Sequence, residues 1–242
     1  MLSIPVALVL ATTVVFAEVP SYIKVCGRRN PNLDQCVIDS VNALRDKLKE
    51  GIPELDVPSA EPLVVDKVIF SDTNEFKAVA EPVELRGLTS FNLKTVHVDL
   101  EKKQIDLTAD FDSIKLDAIY DVHAKILVNF VGKGPIKINV EGVDIKVTLN
   151  YELVDHKGKQ YVYFPTMSLK LNVKDFKSVF TPPPGTDKTL AESINTVMST
   201  NRQEVLKTIN PNLEKAISER VLQVANMICK KFTFDELFPD RE

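Results

Sequence analysis

The stretch IKLDAIYDVHAKILVNF, residues 114–130, carries an apolar residue at every even position: Ile114, Leu116, Ala118, Tyr120, Val122, Ala124, Ile126, Val128 and Phe130. The odd positions are mostly Lys, Asp, His and Asn, with Ile119 and Leu127 as exceptions. Period-two alternation predicts one continuous strand with a dry face and a wet face. Strands usually run about 5–6 residues, whereas this one, at about 3.3 Å per residue, would span roughly 56 Å. That exceeds the width of an ordinary small core, so the strand needs a partner of its own length.

A partner lies near the C-terminus. Leu190, Ile194, Val197, Met198, Val205, Leu206 and Ile209, then Leu213, Ala216, Ile217, Val221, Val224 and Ile228, recur at helical spacing, interrupted only at Asn210-Pro211. At about 1.5 Å per residue this element approaches 60 Å. Between the two, period-two runs dominate. Leu63, Val65, Val68 and Phe70 read as one strand, and Val96, Val98 and Leu100 mark another. Ile105, Leu107, Ala109 and Phe111 alternate until a phase flip at Asp112-Ser113, which implies a bulge or turn. GKGP, residues 132–135, reads as a structural turn, followed by Ile136, Ile138 and Val140, a second flip at Gly142, and alternation to Leu153. DHKG, residues 155–158, is a hairpin turn returning through Val162, Phe164, Met167, Leu169, Leu171 and Val173. TPPPG, residues 181–185, is a stiff linker. Near the N-terminus Leu33, Val37, Val41, Leu44 and Leu48 give one amphipathic helix, with Asn32 to cap it and Gly51 and Pro53 to stop it. The matching lengths predict an α+β fold in which a highly curved antiparallel sheet wraps its apolar face around the long C-terminal helix.

The chain has 242 residues, 44% hydrophobic and 26% charged, the profile of a folded globular protein. Its net charge is −4 with both signs interspersed, which disfavours nucleic acid and anionic membrane surfaces as partners. The opening run MLSIPVALVLATTVVFA reads as a signal peptide, residues 1–17, cleaved after Ala17, leaving a single extracellular domain, residues 18–242, without a membrane anchor. In an oxidising compartment Cys26 and Cys36 are expected to pair, while Cys229, on a helix among Val224, Ala225 and Ile228, reads as a buried small hydrophobe. Catalytic signatures are missing: His97, His123 and His156 form no HExxH, no GxSxG elbow occurs, and VGKGP has neither P-loop nor dinucleotide-binding spacing. No enzyme, metal or cofactor is expected.

The early Cys26…Cys36 pair, NPNLDQC, GIPEL followed by EPL, the Tyr120 strand leading into GKGP, and INPNLEKAISERVLQVANMICKKFTFDELFP follow one another in an order that resembles the insect takeout and juvenile-hormone-binding proteins. The resemblance implies an elongated α/β-wrap, related to tubular lipid-binding folds, with an apolar tunnel between helix and sheet that holds an isoprenoid, fatty or similar ligand. It also implies secretion, and for some members a link to the circadian clock and feeding. Haemolymph hormone carriers look richer in cysteine, with a second disulfide, so the chain resembles the takeout branch and juvenile hormone itself is in doubt as its ligand.

On that reading Ala118, Tyr120, Val122, Val128, Phe130 and Tyr151 line the wall, with alanines leaving room beside aromatic rings. Tyr120 offers a phenol on an otherwise apolar face. Val37, Val41, Leu44 and Leu48 close one end, and Met198 lines the middle. The expected partner is a small hydrophobic ligand bound by a monomer. The alternative is an extracellular interaction protein with a filled core that contacts a receptor or a secreted protein.

Overall fold

The computed structural model describes residues 19–74, 76–125, 129–182 and 188–242. The predicted signal peptide, Val128 and most of TPPPG therefore lie outside the described residues. The helices are α1 (Leu33–Ala43), α2 (Arg45–Glu50), α3 (Thr189–Thr200), α4 (Arg202–Cys229) and α5 (Phe234–Leu237). The strands are β1 (Leu63–Val65), β2 (Val68–Asp72), β3 (Phe76–Arg86), β4 (Asn92–Asp99), β5 (Gln104–Lys125), β6 (Asn129–His156) and β7 (Lys159–Phe180). They form one antiparallel sheet in the order β1-β3-β5-β6-β7, with β2 also on β3 and β4 also on β5.

The strand expected over residues 114–130 is longer than its alternation suggested at one end and shorter at the other. It begins at Gln104 and stops at Lys125, because the chain reverses and Asn129 pairs back with Lys125. GKGP is no turn: Gly132, Lys133, Gly134 and Pro135 lie within β6, opposite Val122, Asp121, Tyr120 and Ile119. Leu63 to Phe70 is two strands, β1 and β2, rather than one. β3, which sequence reasoning missed, is masked by Glu81-Pro82, where its pairing with β5 shifts between Ala80 and Val83. The DHKG hairpin forms as expected, with Lys157 and Gly158 both at positive φ.

The two phase flips are one feature. Phe111 and Ile114, Val140 and Val143, and Val173 and Phe176 all pack into a single apolar cluster. Each pair is three residues apart, where strict alternation requires an even spacing. Yet the β5–β6 register is continuous, Phe111 opposite Val143 and Ser113 opposite Glu141, and β7 follows with Val173 and Asp175. A crease therefore crosses three strands in step, and no strand breaks. Gly142 supplies its left-handed backbone at φ +63°, and a Cβ there would lie 2.5 Å from the Lys174 side chain.

The C-terminal helix breaks at Asn201 instead of at Asn210-Pro211, and Pro211 sits inside α4. It runs back along β7, whose free edge it covers with side-chain amides. Asn195 accepts from the Phe180 N–H at 2.8 Å and donates to its carbonyl at 3.0 Å. Asn226 does the same at Phe164, at 2.8 and 3.0 Å. Between them Glu214 accepts from the Leu171 N–H at 2.9 Å. Phe164 and Phe180 are sixteen strand residues apart, about 53 Å at 3.3 Å each; Asn195 and Asn226 are thirty-one helix residues apart, about 47 Å at 1.5 Å each. The near equality lets α3 and α4 in succession satisfy an edge strand that would otherwise invite pairing.

The opposite flank of α4 meets β2, where Asn212 donates to the Phe70 carbonyl at 2.7 Å. Phe70 is the extra residue of a bulge, since Ile69 pairs with Val79 and Ser71 with Ala78, which turns its carbonyl away from β3. Leu171 lies in the row of Ile145 and Ala109, whereas Phe70 lies beside Val79 and Asp121. Edges twelve positions out of step on β5 thus reach one segment of α4, which requires a strongly coiled sheet.

The N-terminal helix is two, broken at Leu44, and α1 lies over β4, where Asp34 accepts from the Val98 N–H at 2.8 Å. Ile52, Leu55, Val57 and Phe232 pack with Leu48, Val224 and Ile228 at that end of the molecule. The Cys26–Cys36 disulfide, with Cα atoms 5.9 Å apart, ties α1 to the N-terminal segment.

Candidate functional site

The inner face of the sheet and the facing side of α3–α4 enclose a run of apolar side chains. Its first part holds Ala118, Tyr120, Ala80, Val83, Ile136 and Phe180 as buried residues, with Val122, Leu116, Ile138, Ile194 and Met198 against them. Met198 also packs into the next cluster, around Val143, Val173, Phe176 and Leu206, and so stands in the middle as expected. Many of these inward residues are only half-buried, including Leu116, Val122, Ile138, Ile194, Met198 and Val205. A close-packed core buries such positions fully.

Tyr120 is 5% exposed and meets the Phe180 ring edge-on at 5.0 Å. Burial alone pushes its phenol above the ordinary tyrosine range. No hydrogen-bond partner for its hydroxyl is found among the described residues. The reason GKGP is in a strand is visible here: a Cβ at Gly134 would collide with the Thr181 carbonyl and press on the Tyr120 ring, 3.3 Å away. Sequence reasoning missed Gly134, although two glycines inside an alternating run signal a close approach of this kind.

Tyr151 lies elsewhere. It packs with Val162, Phe164 and Phe234 at the far end of the sheet, against Leu222 and Cys229. Seventeen β6 residues separate it from Gly134, about 56 Å along the strand, so Tyr120 and Tyr151 do not form one wall. Leu48 joins the end cap around Ile52 and Phe232, while Val37, Val41 and Leu44 are half-buried on the helical segment over β4. The side chain of Phe130, like Val128, lies outside the described residues. Cys229 is unpaired, and burial pushes its thiol up to about 12, which keeps it protonated and inert near neutral pH.

The histidines sit on the surface. His97 bonds Asp34 at 3.1 Å, His123 bonds Asp121 at 2.9 Å, and His156 meets the Tyr161 ring. His123 and Asp121 line an open outer cleft of about 440 Å³ with Lys67, Lys77 and Glu81. Lys67 pairs with Glu81 at 3.1 Å and Lys77 with Asp72 at 3.8 Å, so each lysine of the cleft is matched by a neighbouring carboxylate. Among the described residues no three His, Cys, Asp or Glu side chains gather to hold a metal.

Comparison with known proteins agrees with this architecture. The structure of Takeout 1 from Epiphyas postvittana superposes with a TM-score of 0.75 over 89% of this chain and 99% of that one, at 20% identity. A putative beta-carotene-binding protein of Schistocerca gregaria is 24% identical over 88% of this chain and 86% of its own length. The circadian clock-controlled protein daywake of Drosophila melanogaster is 23% identical over 90% and 88%. The family pattern described as Haemolymph juvenile hormone binding protein (JHBP) matches residues 6–239, and the chain belongs to that family.

Proposed function

We propose that the protein is a secreted carrier that holds a small hydrophobic ligand, an isoprenoid, carotenoid or fatty-acid-like molecule, between the coiled sheet and α3–α4. The observation that carries this reading is the half-exposure of apolar side chains that face inward. Ala118, Tyr120, Val122 and Met198 are the contacts proposed for the described part of the wall, together with Val128 and Phe130 from the sequence. Val37, Val41, Leu44 and Leu48 serve as the closure of the end at which Tyr151 packs. Burying roughly 400 Å² of such a ligand at about 25 cal/mol per Å² gives on the order of 10 kcal/mol before ordering and association costs, enough for micromolar to nanomolar binding. The family relationship supports the same class of ligand, and the named carotenoid-binding relative widens it beyond juvenile hormone. A link to daily timing rests on the clock-controlled relative alone, and transcript sampling through a day tests it.

The test is native mass spectrometry of the protein secreted from insect cells, with solvent extraction of what it carries. A stoichiometric apolar molecule is expected. A protein that arrives empty and takes up neither juvenile hormone, fatty acids, quinones nor carotenoids refutes the carrier reading.

A further inference from the structure

Val205, Ile209, Leu213 and Ile217 follow one another at four-residue intervals on one face of α4. Val205 packs into the middle cluster, and Val224 and Ile228, further along, pack into the end cap. Between those two anchorages Ile217 is 38% exposed and Val221 39%. Residues in line with the inward face, yet open to solvent, mark a gap beside α4. One end of the gap is the Asn212–Phe70 bond; the other is the cap around Ile52, Leu55 and Val57.

Arg220 lies in this interval. Asn210, Glu214 and Asn226 define the flank of α4 that faces β7, and at about 100° per residue Arg220 falls on the opposite side, between Asn212 and the inward face. Its neighbours one turn away are Ala216, Ile217, Gln223 and Val224, with no carboxylate among them. Arg28, Arg29, Arg86 and Arg202 each sit on an acidic side chain, and Arg45 lies over the Phe91 ring. Among the described residues Arg220 has only a bond to the side-chain amide oxygen of Gln223 at 2.7 Å, and its Nε is buried with no acceptor. A half-buried guanidinium without an anion, at an apolar gap leading inward, has the chemistry of a carboxylate receptor.

We propose that Arg220 takes the carboxylate of a long-chain acid whose hydrocarbon chain enters beside α4 along Ile217, Leu213 and Ile209. The proposal rests on the carrier reading and adds the ligand's head group and its point of entry. Arg220 stands twenty-five helix residues from Asn195, the residue that holds Phe180 beside Tyr120, or about 38 Å at 1.5 Å each. An eighteen-carbon acid anchored at Arg220 therefore ends short of Tyr120.

The experiment measures oleate and methyl oleate binding to the delipidated protein by titration calorimetry, for wild type, Arg220→Gln, Arg220→Lys and the solvent-side control Lys215→Gln. Arg220→Gln is expected to weaken oleate by about 10- to 100-fold, the effect of one charge-assisted hydrogen-bonded pair, and to leave methyl oleate unchanged. Arg220→Lys retains part of the preference for the acid, because a point charge remains. Lys215→Gln leaves oleate unchanged. If Arg220→Gln does not fold, the ratio of oleate to methyl oleate affinity in Arg220→Lys decides. Wild type that binds both molecules equally, or arginine variants that lose both alike, overturns the head-group site while the carrier reading stands. Wild type that binds neither overturns both.

Discussion

Tyr120 and Tyr151 are each 5% exposed on the inner side of the sheet, and each meets a phenylalanine edge-on, Phe180 at 5.0 Å and Phe164 at 6.1 Å. Burial raises both phenols, but at Tyr151 the negative charge of Asp99 adds to it, whereas at Tyr120 burial acts alone. Their surroundings differ in kind. Around Tyr151 the end of the molecule is sealed by Phe234 and Phe238, with the Phe232 cap beside it. Around Tyr120 half-buried Val122, Leu116 and Ile194 border the space toward the helix. Two positions with the same local signal thus divide into a sealed end and one bordered by half-buried side chains, and what divides them is the chain packed across from each.

The largest effect expected from this contrast is on stability at the sealed end. Phe232 is 2% exposed, and Phe232→Ala is expected to cost about 3–5 kcal/mol, read as a lower urea midpoint at unchanged slope. Ligand affinity of the molecules that remain folded stays unaltered. A comparable loss of affinity would mean that the cap is part of the ligand wall.

The two flanks of α4 give a second, smaller contrast. Asn226→Ala leaves both the N–H and the carbonyl of buried Phe164 without partners and is expected to cost about 2–3 kcal/mol. Asn212→Ala removes one bond, at the edge of the gap, and is expected to cost about 1 kcal/mol. Hydrogen exchange should agree, with β2 amides protected less than those of β7. Equal costs for the two variants would mean that both edges of the sheet are fastened alike.

These contrasts mark where the sequence was readable. Alternation in residues 104–125 and 143–153, the Lys157-Gly158 turn and the apolar face of the C-terminal helix are local signals, and each survives in the structure. The near match of strand and helix lengths carried the wrap itself. What failed was long-range. Asn195, Asn210 and Asn226 interrupt an apolar helical pattern and look like solvent positions, yet they bond the edge of β7, fifteen or more residues away in sequence. GKGP resembles a turn because glycine and proline are turn formers; its role depends on Tyr120 across the strand pair. Tyr151 was grouped with Tyr120 by hydrophobicity alone, and hydrophobicity does not record where along strands of 28 and 22 residues a side chain stands.

The finest test returns to the two tyrosines. Replacing either by phenylalanine keeps the ring and its edge-on contact, so folding stability should change by no more than about 1 kcal/mol in each case. At Tyr120 the lost hydroxyl is expected to weaken a ligand that carries an oxygen near it, such as juvenile hormone or a quinone, by about 2- to 10-fold, and to leave a hydrocarbon such as beta-carotene unaffected. At Tyr151 neither ligand should notice, because the ring faces a sealed cluster and its phenol faces Asp99. Titration of both variants with both ligands separates the possibilities. Unchanged binding of the oxygenated ligand by Tyr120→Phe would remove the phenol from the site, and weakened binding by Tyr151→Phe would show that the ligand reaches the end assigned to structure.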